Sequence, residues 1–417
     1  MIKKSLAWFL LLLVSGPLTQ AWAQTEIDEE PTENELQIHV KGFLDSYHAV
    51  RTEGNAEWMS SRTRARGEVK IEKGPAALYL SLNATYNALL KERSGVDLRE
   101  AYFSYTRGSF DLSIGRQIVV WGVADGLRIT DCVSPFDYTE FLAQDYDDIR
   151  MPVNALRAQY SFGSVSLEAI CTPIPEVCIL PTASNNPWAM HFPGIVDIDS
   201  NRPSRAFKNM EYGGRIKATL QGVDLSFSAL RTWNKIPALE IMWSKDAQSL
   251  TAIGKYHRMT MLGADCALPF GEFVLRGEAA YNLGEAQSTS IGHTVECRNT
   301  LNMLIGLDWY AGNDWNISVQ YYHKVTPNSK GVLSSYRNAG LATARISKDL
   351  LQNTLKLSTF AYIDVANGGV FNRLAAAYSL TDQVTVIAGY DYFYGKRGLF
   401  SPFSHNDEAW IKLKYSF

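Results

Sequence analysis

Apolar and polar residues alternate along most of this chain with a period of two, the period of a strand whose successive side chains point to opposite faces. Between 78 and 87, Leu78, Leu80, Leu82, Ala84 and Tyr86 share one face, and Tyr79, Ser81, Asn83, Thr85 and Asn87 share the other. In 223–229, Val223, Leu225, Phe227 and Ala229 interleave with Asp224, Ser226 and Ser228. The pattern returns at 273–281, 315–321, 355–363, 384–392 and 411–417. No comparably long stretch carries a clean helical period.

Tight turns cut these runs at Gly74-Pro75, Gly108-Ser109, Gly163-Ser164, Gly222, Gly271, Asn313-Asp314, Lys348-Asp349 and Thr381-Asp382. Between successive tight turns, two strand-like runs are joined by a longer polar or Gly/Pro-rich loop. These loops lie at about 122–153, 173–209, 234–254, 284–297, 325–336 and 395–406. Six of the 15 prolines fall in 173–203, away from the paired strands whose ladder needs an N–H. Short turns at one end and long loops at the other mark an outer-membrane barrel. Eight turns join eight strand pairs, with one strand before the first pair (about 36–50) and one after the last (about 407–417). The pattern therefore predicts an all-β chain: one antiparallel transmembrane β-barrel of about 18 strands, or 16 if one turn is misread.

Both ends of the chain agree. Lys3 and Lys4, the apolar run Leu6–Val14 and the small-x-small stretch Ala21-Trp22-Ala23 predict a Sec-type signal peptide over 1–23, cleaved near Ala23. Residues 24–35 form a short acidic periplasmic tail, and the barrel occupies 36–417. The last strand alternates Ile411, Leu413, Tyr415 and the terminal Phe417 with Lys412, Lys414 and Ser416. A terminal aromatic closing such a strand, here Phe417 with Tyr415, resembles the assembly signal read by the barrel-assembly machinery. Together these place the protein in the outer membrane of a Gram-negative bacterium, in contact with its lipid and lipopolysaccharide.

Composition changes the picture at two points. The chain has 417 residues, is 46% hydrophobic and has a formal net charge of −3, which excludes a strongly basic nucleic-acid binder. As a soluble protein it would make two or three domains; as a barrel its apolar half faces lipid. The five cysteines, at 132, 171, 178, 266 and 297, cannot all pair within one chain and show no C-x-x-C spacing, so no metal or other cofactor is expected. Cys171 and Cys178 flank a short Pro-containing stretch and are candidates for a small loop disulfide; two free thiols are the other reading.

In a membrane barrel the polar face lines the lumen. Strand 61–72 puts Arg62, Arg64, Arg66, Glu68, Lys70 and Glu72 on one face. A basic side chain facing the bilayer midplane would cost about 2–4 kcal/mol, so this face meets water. The same alternation adds Arg215, Lys217, Arg276, Arg345, Lys356, Lys412 and Lys414 to the lumen, with Asp224, Glu278 and Asp391. The wall leans basic. Acid gathers instead in the loop at 122–153, which carries Asp125, Asp131, Asp137, Glu140, Asp145, Asp147 and Asp148 against Arg128 and Arg150. Folded inward, that loop would set an acidic face against a basic wall and select small solutes by size and charge. Folded outward, it would be a solvated loop whose acids repel one another or bind Mg²⁺ or Ca²⁺ near the lipopolysaccharide.

Residues 115–152 resemble a segment of proteobacterial outer-membrane barrels of a domain-of-unknown-function family. The matching pieces are Gly115-Arg116-Gln117, Trp121-Gly122, Asp125, Arg128, Asp131, Ser134-Pro135-Phe136-Asp137, Asp147-Asp148, Arg150 and Pro152, with Ser134 where Asn is usual. The resemblance implies a porin-like or exporter-associated barrel with no enzyme activity and no settled substrate; some such barrels are suspected of handling hydrophobic or lipid-like compounds. Continuing the alternation of Phe110, Leu112 and Ile114 would turn Arg116 outward, so either Arg116 lies near the strand end or, the preferred reading, a bulge at Gly115 swings it toward Asp125 or Asp131 and pins the loop.

The competing functions fit less well. The seven histidines are dispersed and no G-x-S-x-G elbow appears, against an enzyme. The tail before the first strand is too short for the folded plug of a gated importer. The expectation is a porin-like channel for small, anionic or polar solutes. Transport of hydrophobic compounds and a structural or adhesive barrel are the alternatives, and self-association into a homo-oligomer is left open.

Overall fold

The computed structural model describes residues 35–190, 194–243, 249–327 and 338–417. The signal peptide expected over 1–23 and all of the acidic tail expected over 24–35 except Glu35 lie outside the described residues. In chain order the strands are β1 (Gln37–Arg51), β2 (Trp58–Lys73), β3 (Ala76–Asn87), β4 (Gly95–Arg107), β5 (Phe110–Gln117), β6 (Val153–Phe162), β7 (Val165–Thr172), β8 (Gly194–Asp197), β9 (Glu211–Leu220), β10 (Val223–Trp233), β11 (Ala238–Trp243), β12 (Leu250–Lys255), β13 (Arg258–Phe270), β14 (Phe273–Gln287), β15 (Glu296–Trp309), β16 (Trp315–Val325), β17 (Asn338–Leu350), β18 (Leu355–Asp364), β19 (Gly369–Ser379), β20 (Val384–Tyr394) and β21 (Glu408–Ser416). Strands β8, β11 and β12 form a small sheet within the long loops. The other 18 pair with their neighbours in one antiparallel sheet, and β21 pairs back onto β1 to close it. Closure removes the free edges that an open sheet would expose. Gly42 and Phe417 exchange both backbone hydrogen bonds at the seam, at 2.8 and 3.0 Å.

The eight tight turns fall where the glycine and asparagine signals place them, with one shift. Strand β17 runs through Lys348 and Asp349 to Leu350, and the turn is made by Leu351–Thr354, where Leu351, Gln352 and Asn353 all have positive φ. No glycine marks that turn, so composition missed it by three residues.

Burial is inverted relative to a soluble protein. Leu44, Leu78, Ile114, Ile216, Phe227, Ile305 and Ile411 are exposed on the outer face, while Arg64, Arg66, Arg215, Glu278 and Asp391 are buried inside. Aromatic side chains gather at the turn end of this belt, where Phe273 stacks between Phe270 at 5.6 Å and Trp309 at 5.8 Å. Exposed Trp58, Tyr86, Tyr212, Tyr392 and Tyr394 sit toward the loop end. An apolar band between two aromatic girdles is the outer surface of a membrane barrel.

Candidate constriction site

The connection between β5 and β6, residues 118–152, runs into the lumen and is fastened to the wall on several sides. Trp121 is buried, and its indole N–H donates to Glu168 of β7 at 2.9 Å while the Arg215 guanidinium of β9 stacks 5.3 Å from its ring. Across the lumen, Glu278 of β14 accepts from the Val123, Ala124 and Thr130 backbone N–H groups and the Thr130 hydroxyl, at 3.1, 2.9, 2.7 and 2.6 Å. Gly122 makes that approach feasible: its φ is +85°, and a Cβ there would lie 2.4 Å from Glu278 Oε1. Beyond it, Asp125 exchanges two backbone hydrogen bonds with the Gln320 amide of β16, at 3.1 and 2.9 Å, and its carboxylate meets Arg345 of β17 at 3.1 Å. The Tyr362 hydroxyl of β18 donates to the Gly126 carbonyl at 2.6 Å.

The return half is braced first on itself. Arg150 pairs with Asp131, and Arg128 lies over the Phe136 ring while donating to the Asp131 and Ser134 carbonyls at 2.8 and 2.7 Å. Asp137 pairs with Arg93 of the β3–β4 loop at 3.0 Å. It then docks on β1, β2 and β21. Glu140 accepts from the Ser60 hydroxyl at 2.8 Å and lies 3.6 Å from Arg62; Asp145 pairs with Lys412. Asp148, on the single turn α1 (Tyr146–Ile149), bridges two guanidiniums, with one oxygen on Arg64 at 2.8 Å and the other on Arg66 at 2.9 Å. Arg64 is shared with Asp45 of β1 at 2.6 Å. Burial works against ionisation of Asp148, yet Arg64 and Arg66 hold its carboxyl well below the usual carboxylate range. Asp145 shifts the same way: Lys412 outweighs its burial.

Toward the loop end of the barrel, an aromatic cluster packs between loops and wall, beside the buried Arg373–Asp391 pair. Phe141 of the inward loop stacks on Phe403 of the β20–β21 loop at 3.9 Å. Trp188, Phe371, Phe393, Phe400 and Trp410 belong to the same buried cluster. Wall and loops thus share one small core inside the barrel.

A family model described as a protein of unknown function (DUF1302) matches residues 23–417. The chain belongs to that family. A search of the curated proteins finds no match. Among solved structures, a BenF-like porin from Pseudomonas fluorescens Pf-5 superposes with a TM-score of 0.53 at 7% identity, covering 92% of this chain and 98% of that one. OccAB3 of Acinetobacter baumannii superposes at 0.52 and 11% identity, covering 91% and 99%. At these identities the likeness is one of fold alone.

Within the DUF1302 barrel, the structure divides the basic side chains that alternation assigns to the lumen. Arg62, Arg64, Arg66, Arg215, Arg276, Arg345 and Lys412 meet the inward loop; Arg276 donates to the Val123 carbonyl at 2.8 Å and pairs with Asp308. Glu68, Lys70, Lys217 and Lys356 lie nearer the tight turns, clear of it. There Glu68 pairs with Lys41 at 3.1 Å, Lys70 with Glu72 at 2.7 Å and Lys356 with Asp349 at 3.9 Å. The loop acids touch these bases directly instead of facing them across an open gap. Asp131 and Asp137 pair within the loops, and the Asp147 side chain lies outside the described residues.

Two expectations are corrected. Arg116 does not pin the loop, because β5 has no bulge: its register is continuous, with Tyr102 opposite Gly115 and Ala101 opposite Arg116. Gly115 serves a close approach, at φ +135° with the Ala101 carbonyl 2.3 Å from where a Cβ would be. Strict alternation keeps Arg116 on the outward face, where it donates to the Leu98 carbonyl at 3.0 Å. Cys171 and Cys178 are free thiols. Cys171 is held in the ladder of β7, and Cys178 is buried, its sulfur accepting the Phe136 N–H at 3.3 Å.

Glu168, Asp45 and Gln320 were missed as loop partners. Glu168 was reachable from the alternation of 165–172. Asp45 and Gln320 needed the register of β1 against β2 and the path of the loop.

Proposed function

We propose that this protein is an outer-membrane, porin-like channel through which small anionic or polar solutes pass, constricted by the inward loop at 118–152. The observation that carries the reading is the seating of Asp148 on Arg64 and Arg66 inside a closed barrel. A loop fastened across the lumen limits solute size, and the guanidiniums that fasten it impose a charge preference on what passes. The fold shared with a BenF-like porin supports a channel in general and leaves the solute to the residues of this chain. Replacing Arg62, Arg64 and Arg66 together by Gln is expected to move the reversal potential in a salt gradient toward cations. An unchanged reversal potential would remove the charge-selection part of the reading.

A second reading has its own observation. The aromatic cluster of Phe141, Trp188, Phe393, Phe400 and Phe403 is a packed apolar core at the loop end of the barrel, which a hydrophobic compound could enter only by displacing the loops that fill it. Proteoliposome swelling tests the first: swelling in small sugars and organic anions supports the porin reading, and a barrel that passes neither favours hydrophobic transport or a structural or adhesive role over a diffusion channel.

A further inference from the structure

The loop ends of β9, β10 and β13 carry a basic patch on the outer wall of the barrel. Leu230, Thr232, Met259 and Met261 are buried inside, so strict alternation turns Arg231, Trp233, Arg258 and Thr260 outward. The register aligns Tyr212, Arg231, Thr260 and Leu283 in one row around the wall. The next row toward the tight turns, Gly214, Ala229, Leu262 and Tyr281, carries no charge. The row beyond it, Ile216, Phe227, Ala264 and Ala279, is wholly apolar. Arg231 is therefore the first charge above the lipid band on this face, level with the exposed Tyr212 of the aromatic girdle.

The patch is held in place by neutral partners. Arg231 Nη1 donates to the Thr260 hydroxyl at 2.9 Å. Arg258 is its diagonal neighbour across the β10–β13 ladder, a separation of about 7–8 Å. The Arg258 guanidinium lies 5.3 Å from the Trp233 ring and donates through Nη2 to the Lys208 and Met210 carbonyls, both at 2.9 Å. The Trp233 indole N–H donates to the Asn209 carbonyl at 3.1 Å. These bonds lash the single 3-10 turn Phe207–Asn209 to the rim, where Lys208 and Phe207 are both exposed. Among the described residues, no carboxylate lies within ion-pair distance of Lys208, Arg231 or Arg258. Three neighbouring cations repel one another unless an anion joins them. At this level of an outer-membrane barrel, the anions at hand are the phosphates of the outer leaflet.

We propose that Lys208, Arg231 and Arg258 form a phosphate-binding site for lipopolysaccharide, holding a phosphate of its lipid anchor while the acyl chains lie along the apolar rows below. The guanidiniums bind phosphate oxygens through charge-assisted hydrogen bonds, and Lys208 adds a point charge. Stacking on Trp233 fixes the Arg258 fork in advance. Basic side chains at a membrane rim keep their stems along the hydrocarbon and their heads among the lipid phosphates. Exposed Phe207 extends the apolar contact beside Lys208. A free anion would meet the charges alone, whereas a lipid meets the charges and the apolar rows together. The site lies on the outer wall and is independent of what the lumen carries.

The test is native mass spectrometry of the refolded barrel in detergent, titrated with bisphosphorylated lipid A, with the same lipid stripped of its phosphates, and with inorganic phosphate as competitor. The expected result is a bound lipid A that inorganic phosphate does not displace, with the dephosphorylated lipid held about tenfold more weakly. The double variant Lys208→Gln/Arg231→Gln is expected to weaken lipid A binding by about tenfold, and Arg231→Lys, which keeps the charge, by no more than about twofold. Arg116→Gln removes an outward cation elsewhere on the wall and should leave binding unchanged. The comparison of the two lipids needs no variant, so it decides even if a substitution impairs folding. Equal affinity for the two lipids overturns the proposal. So does a loss on Arg116→Gln as large as that of the double variant, which would make the attraction one of diffuse surface charge. Displacement of lipid A by inorganic phosphate also overturns it, since the patch would then be a site for free anions.

Discussion

Gly122 occupies a place where no side chain fits. Its positive φ and the Glu278 carboxylate 2.4 Å from a Cβ both forbid substitution without movement. Gly122→Ala is expected to cost about 1–3 kcal/mol of loop seating and to raise single-channel conductance, with the barrel still resisting unfolding by SDS at room temperature. Unaltered conductance would mean that the loop accommodates the methyl group and that Glu278 is not its clamp. Asp148 gives a prediction in pH. Its carboxyl is depressed in the folded protein, so its contribution is complete above the ordinary carboxylate range and is lost only as pH falls through the depressed value. In a Glu278→Gln barrel, where Asp148 is the titrating clamp, conductance should therefore stay level from about pH 8 down to about pH 4. A rise that begins near pH 5 would show that the Arg64–Asp148–Arg66 bridge does not hold the loop.

At the scale of elements, the closing strand and the inward loop carry different burdens. Strand β21 is sewn to β1 from Arg51–Glu408 to Phe43–Ser416, and the Phe417 ring lies over Gly42, 2.7 Å from where a Cβ would be. Deleting Phe417 removes the last rung of the seam and the terminal aromatic. The yield of heat-modifiable, membrane-inserted barrel should fall several-fold, as read by the gel shift between boiled and unboiled samples. An undiminished yield would deny Phe417 a part in assembly. The strands were legible because a period-two pattern needs no knowledge of what lies opposite: Leu78 to Asn87 declares both of its faces alone. The turn at Leu351–Thr354 was displaced because no glycine marks it. The inward loop was legible in its acids and opaque in its partners. Asp125 finds Arg345 and Gln320 from strands about two hundred residues later, and no local pattern encodes that distance. Arg116 failed for the opposite reason: a glycine read as a bulge was a close approach between strands.

Over the whole molecule, a net charge of −3 conceals a division between loop acids and wall bases. The barrel puts the two in contact, so the same arginines fasten the constriction and colour it. Because the pairs are enclosed, high salt should weaken them less than it would exposed pairs. The selectivity they impose is expected to persist between about 0.1 and 1 M KCl, and its disappearance at 1 M would place the selecting charges on the exposed surface. The most direct test of the central claim is the reversal potential of the refolded, wild-type barrel in a planar bilayer under a KCl gradient. The account predicts discrete single-channel currents with chloride more permeant than potassium. A barrel that carries no current, or one that prefers potassium, would contradict it.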